Sequence, residues 1–117
     1  MRDCRDFSLL VYNTFGMDVK TDRFFEYSSV DELIRFLSDY DGVMPLLHIG
    51  GGSNLLFTSD FGGIVLHSAI KGFEKVAETD EWIEIKVGAG EVWDDFVSYT
   101  VDRGFYGAEN LSIIPGE

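Results

Sequence analysis

The chain has 117 residues, of which 45% are hydrophobic and 15% aromatic, so it can bury a core and is not expected to be disordered. Its formal net charge of −12 at pH 7 argues against nucleic acid or an anionic membrane as a partner, because both require a positively charged surface. Cys4 is the only cysteine, which excludes an internal disulfide and a thiolate metal cluster and fits a reducing cytoplasm.

The start of the chain alternates charged and apolar residues and contains no hydrophobic segment of signal-peptide length. No stretch of the sequence approaches the roughly twenty apolar residues of a membrane helix. We therefore expect a soluble, cytoplasmic protein.

The first part of the chain is predicted to form a strand, a helix and two further strands. An apolar entry segment at 9–15 leads to a strand at 19–27, rich in β-branched and aromatic residues. Ser28 and Ser29 are candidate N-caps for an amphipathic helix at 30–40. The apolar runs at 46–49 and 64–67 predict strands buried on both faces, as in parallel βαβ units.

The pattern changes near residues 70–72, where we place a boundary between subdomains 1–70 and 71–117. Segments 73–79 and 82–87 flank Asp80-Glu81, and in the second of them Ile83, Ile85 and Val87 alternate with Glu84 and Lys86, which predicts a solvent-facing antiparallel hairpin. A helix follows at 91–103, with Trp93 on its apolar face, acidic residues in its first turn and Gly104 as its stop. The chain ends on a turn signal directly after an apolar run, so we expect more protein to follow in the natural product.

Three adjacent glycines follow the predicted strand at 46–49, in the sequence Ile49-Gly50-Gly51-Gly52-Ser53-Asn54-Leu55. Backbone amides that no Cβ obstructs can converge on phosphate oxygens, so the loop is a candidate for binding a dinucleotide diphosphate. A tight turn between two strands is the alternative. The loop lacks the third glycine of the Rossmann fingerprint and the lysine of a P-loop. Its position at the carboxyl end of a parallel strand favours a ligand.

The remaining polar residues offer little chemistry. His48 and His67 lie in apolar strands and are expected to be satisfied core or rim histidines. No metal-ligand spacing and no nucleophile elbow occurs in the sequence. The residues alone therefore indicate a ligand-binding chain that supplies no catalytic acid or base.

Four blocks in order give the sequence a family resemblance. They are Asn13-Thr14-Phe15, the loop 49–55, Val87-Gly88-Ala89-Gly90 before Trp93-Asp94-Asp95, and Gly107-Ala108-Glu109-Asn110-Leu111-Ser112-Ile113-Ile114-Pro115-Gly116. Together they resemble the UDP-N-acetylenolpyruvoylglucosamine reductases, the flavoproteins of peptidoglycan precursor synthesis. The resemblance covers nearly the whole chain.

The resemblance implies an α/β (α+β) fold of the vanillyl-alcohol-oxidase or PCMH type, in which two subdomains hold an extended FAD. The first subdomain (βαββ) would be complete here and the second truncated. It also implies NADPH as hydride donor and a UDP-sugar as substrate. The implied cofactor-binding residues are Ile49, Gly50, Gly51, Gly52, Ser53, Asn54, Leu55, Asn110, Ile114, Pro115 and Gly116. The block at 13–15 is given a structural role.

The serine, arginine and glutamate that serve proton chemistry in the family lie downstream of the last block. We therefore expect no catalytic residue in these 117 residues, no reductase activity from them alone, and weak FAD binding at most. Two alternatives stay open, namely another FAD oxidoreductase of the same fold and a non-catalytic nucleotide-binding module.

Overall fold

The computed structural model describes residues 1–112 and 115–116, and this part of the chain forms two sheets and two α-helices. The elements are β1 (Arg2–Ser8), β2 (Lys20–Tyr27), α1 (Val30–Asp39), β3 (Leu46–Ile49), β4 (Phe61–Ser68), β5 (Phe73–Glu78), β6 (Ile83–Val87) and α2 (Trp93–Asp102), with short 3-10 helices at Leu10–Tyr12 and Glu109–Leu111.

The larger sheet has the strand order β1-β2-β4-β3. Strands β2, β4 and β3 are parallel, whereas β1 is antiparallel to β2. The crossover through α1 therefore carries the chain past the place of β4, which later inserts between β2 and β3. Because β4 is central, its residues 63–68 are all buried. The strand predicted at 19–27, the helix at 30–40 and the strands at 46–49 and 64–67 are thus confirmed as β2, α1, β3 and β4.

Strand β1 was not predicted from the sequence. Because β1 is rich in charged residues, it has few of the β-branched and aromatic residues typical of strands. It is a strand because it pairs with the edge of β2. Arg23 of β2 donates from Nε and Nη2 to the carboxylate of Asp3, at 2.9 and 2.7 Å. Phe7 stacks on Phe24 at a centroid distance of 4.3 Å. Cross-strand pairs of this kind stabilise a polar edge strand.

Strand β3 corrects the prediction of burial on both faces. It is four residues long and lies at the edge of the sheet, so Leu46 and Leu47 are half-buried and His48 is exposed. The ring Nε2 of His48 is 2.6 Å from the hydroxyl of Tyr27, which makes it a satisfied rim histidine. Only Ile49 is fully packed into the core.

Helix α1 begins where its cap was predicted. The hydroxyl of Ser29 accepts a hydrogen bond from the amide of Glu32 at 3.2 Å, and the carboxylate of Glu32 accepts one from the amide of Ser28 at 2.7 Å. Phe36 faces the sheet and stacks on Phe25 at 4.4 Å. A second apolar cluster covers the opposite face of the sheet, and it contains Leu9, Val19, Phe24, Ile49, Phe57 and Val65.

The predicted hairpin is confirmed as the two-stranded sheet of β5 and β6, joined to the larger sheet through close backbone contacts. The amides of Gly88 and Gly90 donate to the carbonyls of Gly72 and Ile70, both at 2.9 Å. A Cβ on Gly90 would lie 2.5 Å from the carbonyl oxygen of Ser68. Glycine is therefore needed in the block 87–90 because two backbones approach there too closely for a side chain.

Helix α2 is shorter at both ends than its predicted range of 91–103. Gly104 follows its C-cap Arg103 with φ +72°, so it serves as the predicted stop. Val97 and Thr100 are its buried residues. Trp93 is only half-buried, with its ring 5.4 Å from that of Phe96. The predicted apolar face of α2 is therefore only partly buried.

Candidate cofactor-binding site

The glycine loop leaves the carboxyl end of β3 and forms one wall of a cavity of about 390 Å³. The cavity is lined by His48, by residues 49–55 and by Pro115 and Gly116. Nine of the eleven residues predicted for cofactor binding thus lie around one space, although their role remains a prediction. Of the other two, Asn110 lies in the exposed 3-10 helix Glu109–Leu111 outside the cavity lining, and Ile114 is outside the described residues.

Gly52 has a positive φ of +70° and is buried. A Cβ at this position would overlap the carbonyl oxygen of Tyr12 and lie 2.9 Å from the Cα of Asn13. Both the backbone conformation and the close approach exclude a larger residue. The segment 12–14 therefore supports the loop directly, which the sequence did not reveal.

Thr14 makes two hydrogen bonds to this loop. Its amide donates to the carbonyl of Gly52 at 3.3 Å, and its hydroxyl donates to the carbonyl of Ser53 at 3.2 Å. Within 1–112 and 115–116, no residue accepts a hydrogen bond from the backbone amides of 51–54. The described residues therefore leave these amides without an acceptor.

The second wall of the cavity is held by the start of α2. The amide of Trp93 donates to the carbonyl of Gly116 at 2.9 Å, and its indole Nε1 donates to the carbonyl of Leu111 at 2.9 Å. The hydroxyl of Ser112 donates to the carboxylate of Asp94 at 2.6 Å. The first turn of α2 therefore holds Leu111, Ser112 and Gly116 in place, and Asp94 does more there than complement the helix dipole.

The lining of the cavity carries almost no charge. Among the ten described residues that line it, His48 is the one with an ionisable side chain. Since the chain as a whole has a net charge of −12, an anionic ligand would be held here by backbone donors.

His67 is buried as predicted, with Nδ1 2.9 Å from a carboxylate oxygen of Glu26. Tyr12 donates to the same oxygen at 3.3 Å, and burial, followed by the negative charge of Glu26, raises the pKa of Tyr12 above its usual value. Arg2 reaches the hydroxyl of Tyr12 as well. This network anchors the 3-10 helix Leu10–Tyr12 to the sheet and so fixes the segment beneath the glycine loop.

The described residues contain no group of three or more histidines, cysteines or carboxylates placed to hold a metal ion. Nor does any helix in this part of the chain have the length and apolar character needed to cross a membrane.

Comparison with known proteins identifies the family. Residues 22–117 match the family model described as "FAD binding domain". The chain belongs to the FAD-binding domain family. This membership and a structural match together confirm the predicted α/β fold of the PCMH type and FAD as the cofactor of the family.

The curated relatives of this FAD-binding domain are named UDP-N-acetylenolpyruvoylglucosamine reductase, which confirms the resemblance. One from Bacteroides fragilis (strain YCH46) is 60% identical over 111 residues, covering 95% of this chain and 33% of the relative. One from Porphyromonas gingivalis (strain ATCC 33277) is 42% identical over 114 residues, covering 97% of this chain and 34% of the relative. The chain thus spans about a third of the length of the curated relatives it matches.

A crystal structure of UDP-N-acetylenolpyruvylglucosamine reductase from Thermus caldophilus shares the fold, with a TM-score of 0.67. It is 23% identical in sequence, and the alignment covers 98% of this chain and 38% of that chain. The FAD-binding domain described above therefore has the arrangement of strands and helices found in that structure.

Proposed function

We propose that the chain is the FAD-binding portion of an NADPH-dependent reductase that converts UDP-N-acetylglucosamine enolpyruvate to UDP-N-acetylmuramate in peptidoglycan precursor synthesis. The observation that carries the proposal is the cavity in which the glycine loop meets Pro115 and Gly116. The names of the curated relatives, at up to 60% identity, support the choice of reaction.

The residues of the cavity fit a dinucleotide diphosphate. The loop 51–54 offers backbone N–H donors that no described residue uses, and none of the described residues that line the cavity carries a carboxylate. Nests of this kind bind phosphate oxygens. When bound, FAD supplies hydride-transfer chemistry, which no amino acid side chain provides.

The described residues themselves would bind and orient the cofactor. The support beneath the loop and the hydrogen bonds of Trp93 hold the two walls of the cavity in place. We assign no proton-transfer step to any of them. We also propose a cytoplasmic location, in keeping with the single cysteine, and we expect no nucleic-acid partner because of the negative charge.

A direct test uses the protein expressed from its complete coding sequence. We expect it to be purified with a flavin absorbance spectrum and to oxidise NADPH only when UDP-N-acetylglucosamine enolpyruvate is present. A flavin that NADPH reduces but this substrate does not reoxidise would favour another FAD oxidoreductase of the same fold. A protein that binds nucleotides but never oxidises NADPH would favour a non-catalytic binding module.

The 117-residue chain on its own provides a second test. We expect it to bind FAD weakly at most and to show no turnover, because a cofactor held between two subdomains loses most of its contacts when one is incomplete. Tight flavin retention with NADPH-dependent turnover by this chain would contradict the proposal that these residues bind the cofactor only in part and do not catalyse the reaction.

A further inference from the structure

We propose that Thr14 is a positioning residue for the cofactor's diphosphate, because it sets the direction in which the amides of Ser53 and Asn54 point. The inference rests on the proposed function, since it concerns the same cavity. It gives the block 13–15 a role in binding, beyond the structural one expected from the sequence.

The two acceptors of Thr14 are consecutive carbonyls on the glycine loop, those of Gly52 and Ser53. Thr14 itself does not line the cavity, whereas both acceptor residues do. The hydrogen bonds therefore hold the loop from outside the cavity. They join two segments that are 39 positions apart in the sequence.

The geometry of the peptide unit converts these two contacts into donor orientation. In a planar trans peptide, the carbonyl of one residue points opposite to the amide N–H of the next. Holding the carbonyl of Gly52 towards Thr14 turns the amide of Ser53 away from Thr14, and holding the carbonyl of Ser53 does the same for Asn54. Two N–H groups are thus directed away from the support, and neither has a hydrogen-bond acceptor among the described residues.

The support is rigid enough to impose this direction. Asn13 is only 6% exposed, and its side-chain amide donates to the carbonyls of Leu9 and Met17 at 2.7 and 3.0 Å. Its side-chain oxygen accepts from the amide of Met17 at 2.9 Å. The turn that carries Thr14 is therefore closed by three hydrogen bonds from one buried residue. A loop held in its binding conformation loses less entropy when the ligand arrives.

The test is FAD titration of the flavin-free protein, expressed from the complete coding sequence, with three variants. Thr14→Val has a similar shape but lacks the hydroxyl, Thr14→Ser keeps the hydroxyl, and Thr58→Val is the control. Thr58 is also exposed, and its hydroxyl forms no hydrogen bond with any described residue. Loss of one hydrogen bond predicts FAD binding about threefold to tenfold weaker for Thr14→Val.

Thr14→Ser and Thr58→Val should bind FAD as the parent protein does. The melting temperature of the flavin-free Thr14→Val protein should fall by only a few degrees, because one hydrogen bond is lost and the residue is exposed. Unchanged affinity of Thr14→Val, or equal weakening of Thr14→Ser, would overturn the inference and leave the proposed function standing. Failure of the parent protein to bind FAD would overturn both.

Discussion

Replacing Gly52 by alanine tests the support of the glycine loop most directly. Gly52 has φ +70°, and alanine in this region costs about 1–2 kcal/mol. The new Cβ would also lie 2.5 Å from the carbonyl carbon of Tyr12, where carbon atoms prefer about 3.5 Å. Because the Cβ would also overlap the carbonyl oxygen of Tyr12, the loop and the segment beneath it must separate by at least about 1.5 Å.

Such a shift breaks the two hydrogen bonds of Thr14 to the loop. At about 1 kcal/mol each, their loss lowers the free energy of unfolding by about a further 2 kcal/mol. Gly42→Ala is a matched control, because Gly42 has φ +77° but a Cβ there would meet nothing within 4 Å. Gly42→Ala should therefore lose only the free energy of placing alanine at a positive φ. We expect Gly52→Ala to be destabilised by about 2 kcal/mol more than the control.

Urea unfolding of both flavin-free variants measures this difference, and FAD titration measures its effect on the site. Gly52→Ala should bind FAD at least about tenfold more weakly, since the loop amides no longer converge, whereas Gly42→Ala should bind normally. Equal unfolding free energies for the two variants, together with normal FAD affinity of Gly52→Ala, would refute the role of the contact with Tyr12.

Three further predictions concern the site and its surroundings. Gly51→Val should obstruct approach to the loop amides while leaving the helices folded, so the purified protein should lose its yellow colour without loss of helical circular dichroism; normal flavin content would count against the loop's role. Trp93→Ala should lower stability by about 1–2 kcal/mol, less than for a fully buried ring, and an unchanged melting temperature would show that its packing and hydrogen bonds are dispensable. The Arg23 guanidinium holds the pKa of Asp3 below its usual value, so their pairing stabilises the fold above about pH 4 and is lost as the pH falls through the folded pKa. Asp3→Asn should therefore be less stable than the parent near pH 7, by an amount that shrinks in high salt and disappears in acid; a difference that persists in acid would refute the assignment.

The regular elements with strong local signals were predictable. Helix α1 follows from apolar residues at helical spacing and a serine cap, and the hairpin of β5 and β6 follows from the alternation of apolar and charged residues in β6. Strand β1 has neither signal, because charged residues are tolerated on a strand that pairs along one edge. The edge position of β3 was missed for a related reason, since an apolar run does not tell whether its strand is central or at the edge.

For the site, the sequence by itself determined which backbone could serve as a donor, because adjacent glycines after a short strand are uncommon without a need for bare amides. Only the tertiary structure decided what surrounds that backbone. Tyr12 and Thr14 beneath the loop, and Pro115 and Gly116 across the cavity, come from segments far away in the chain. Their meeting depends on the insertion of β4 between β2 and β3 and on the anchoring of Gly116 by α2, and such long-range contacts leave no periodic pattern in a single sequence.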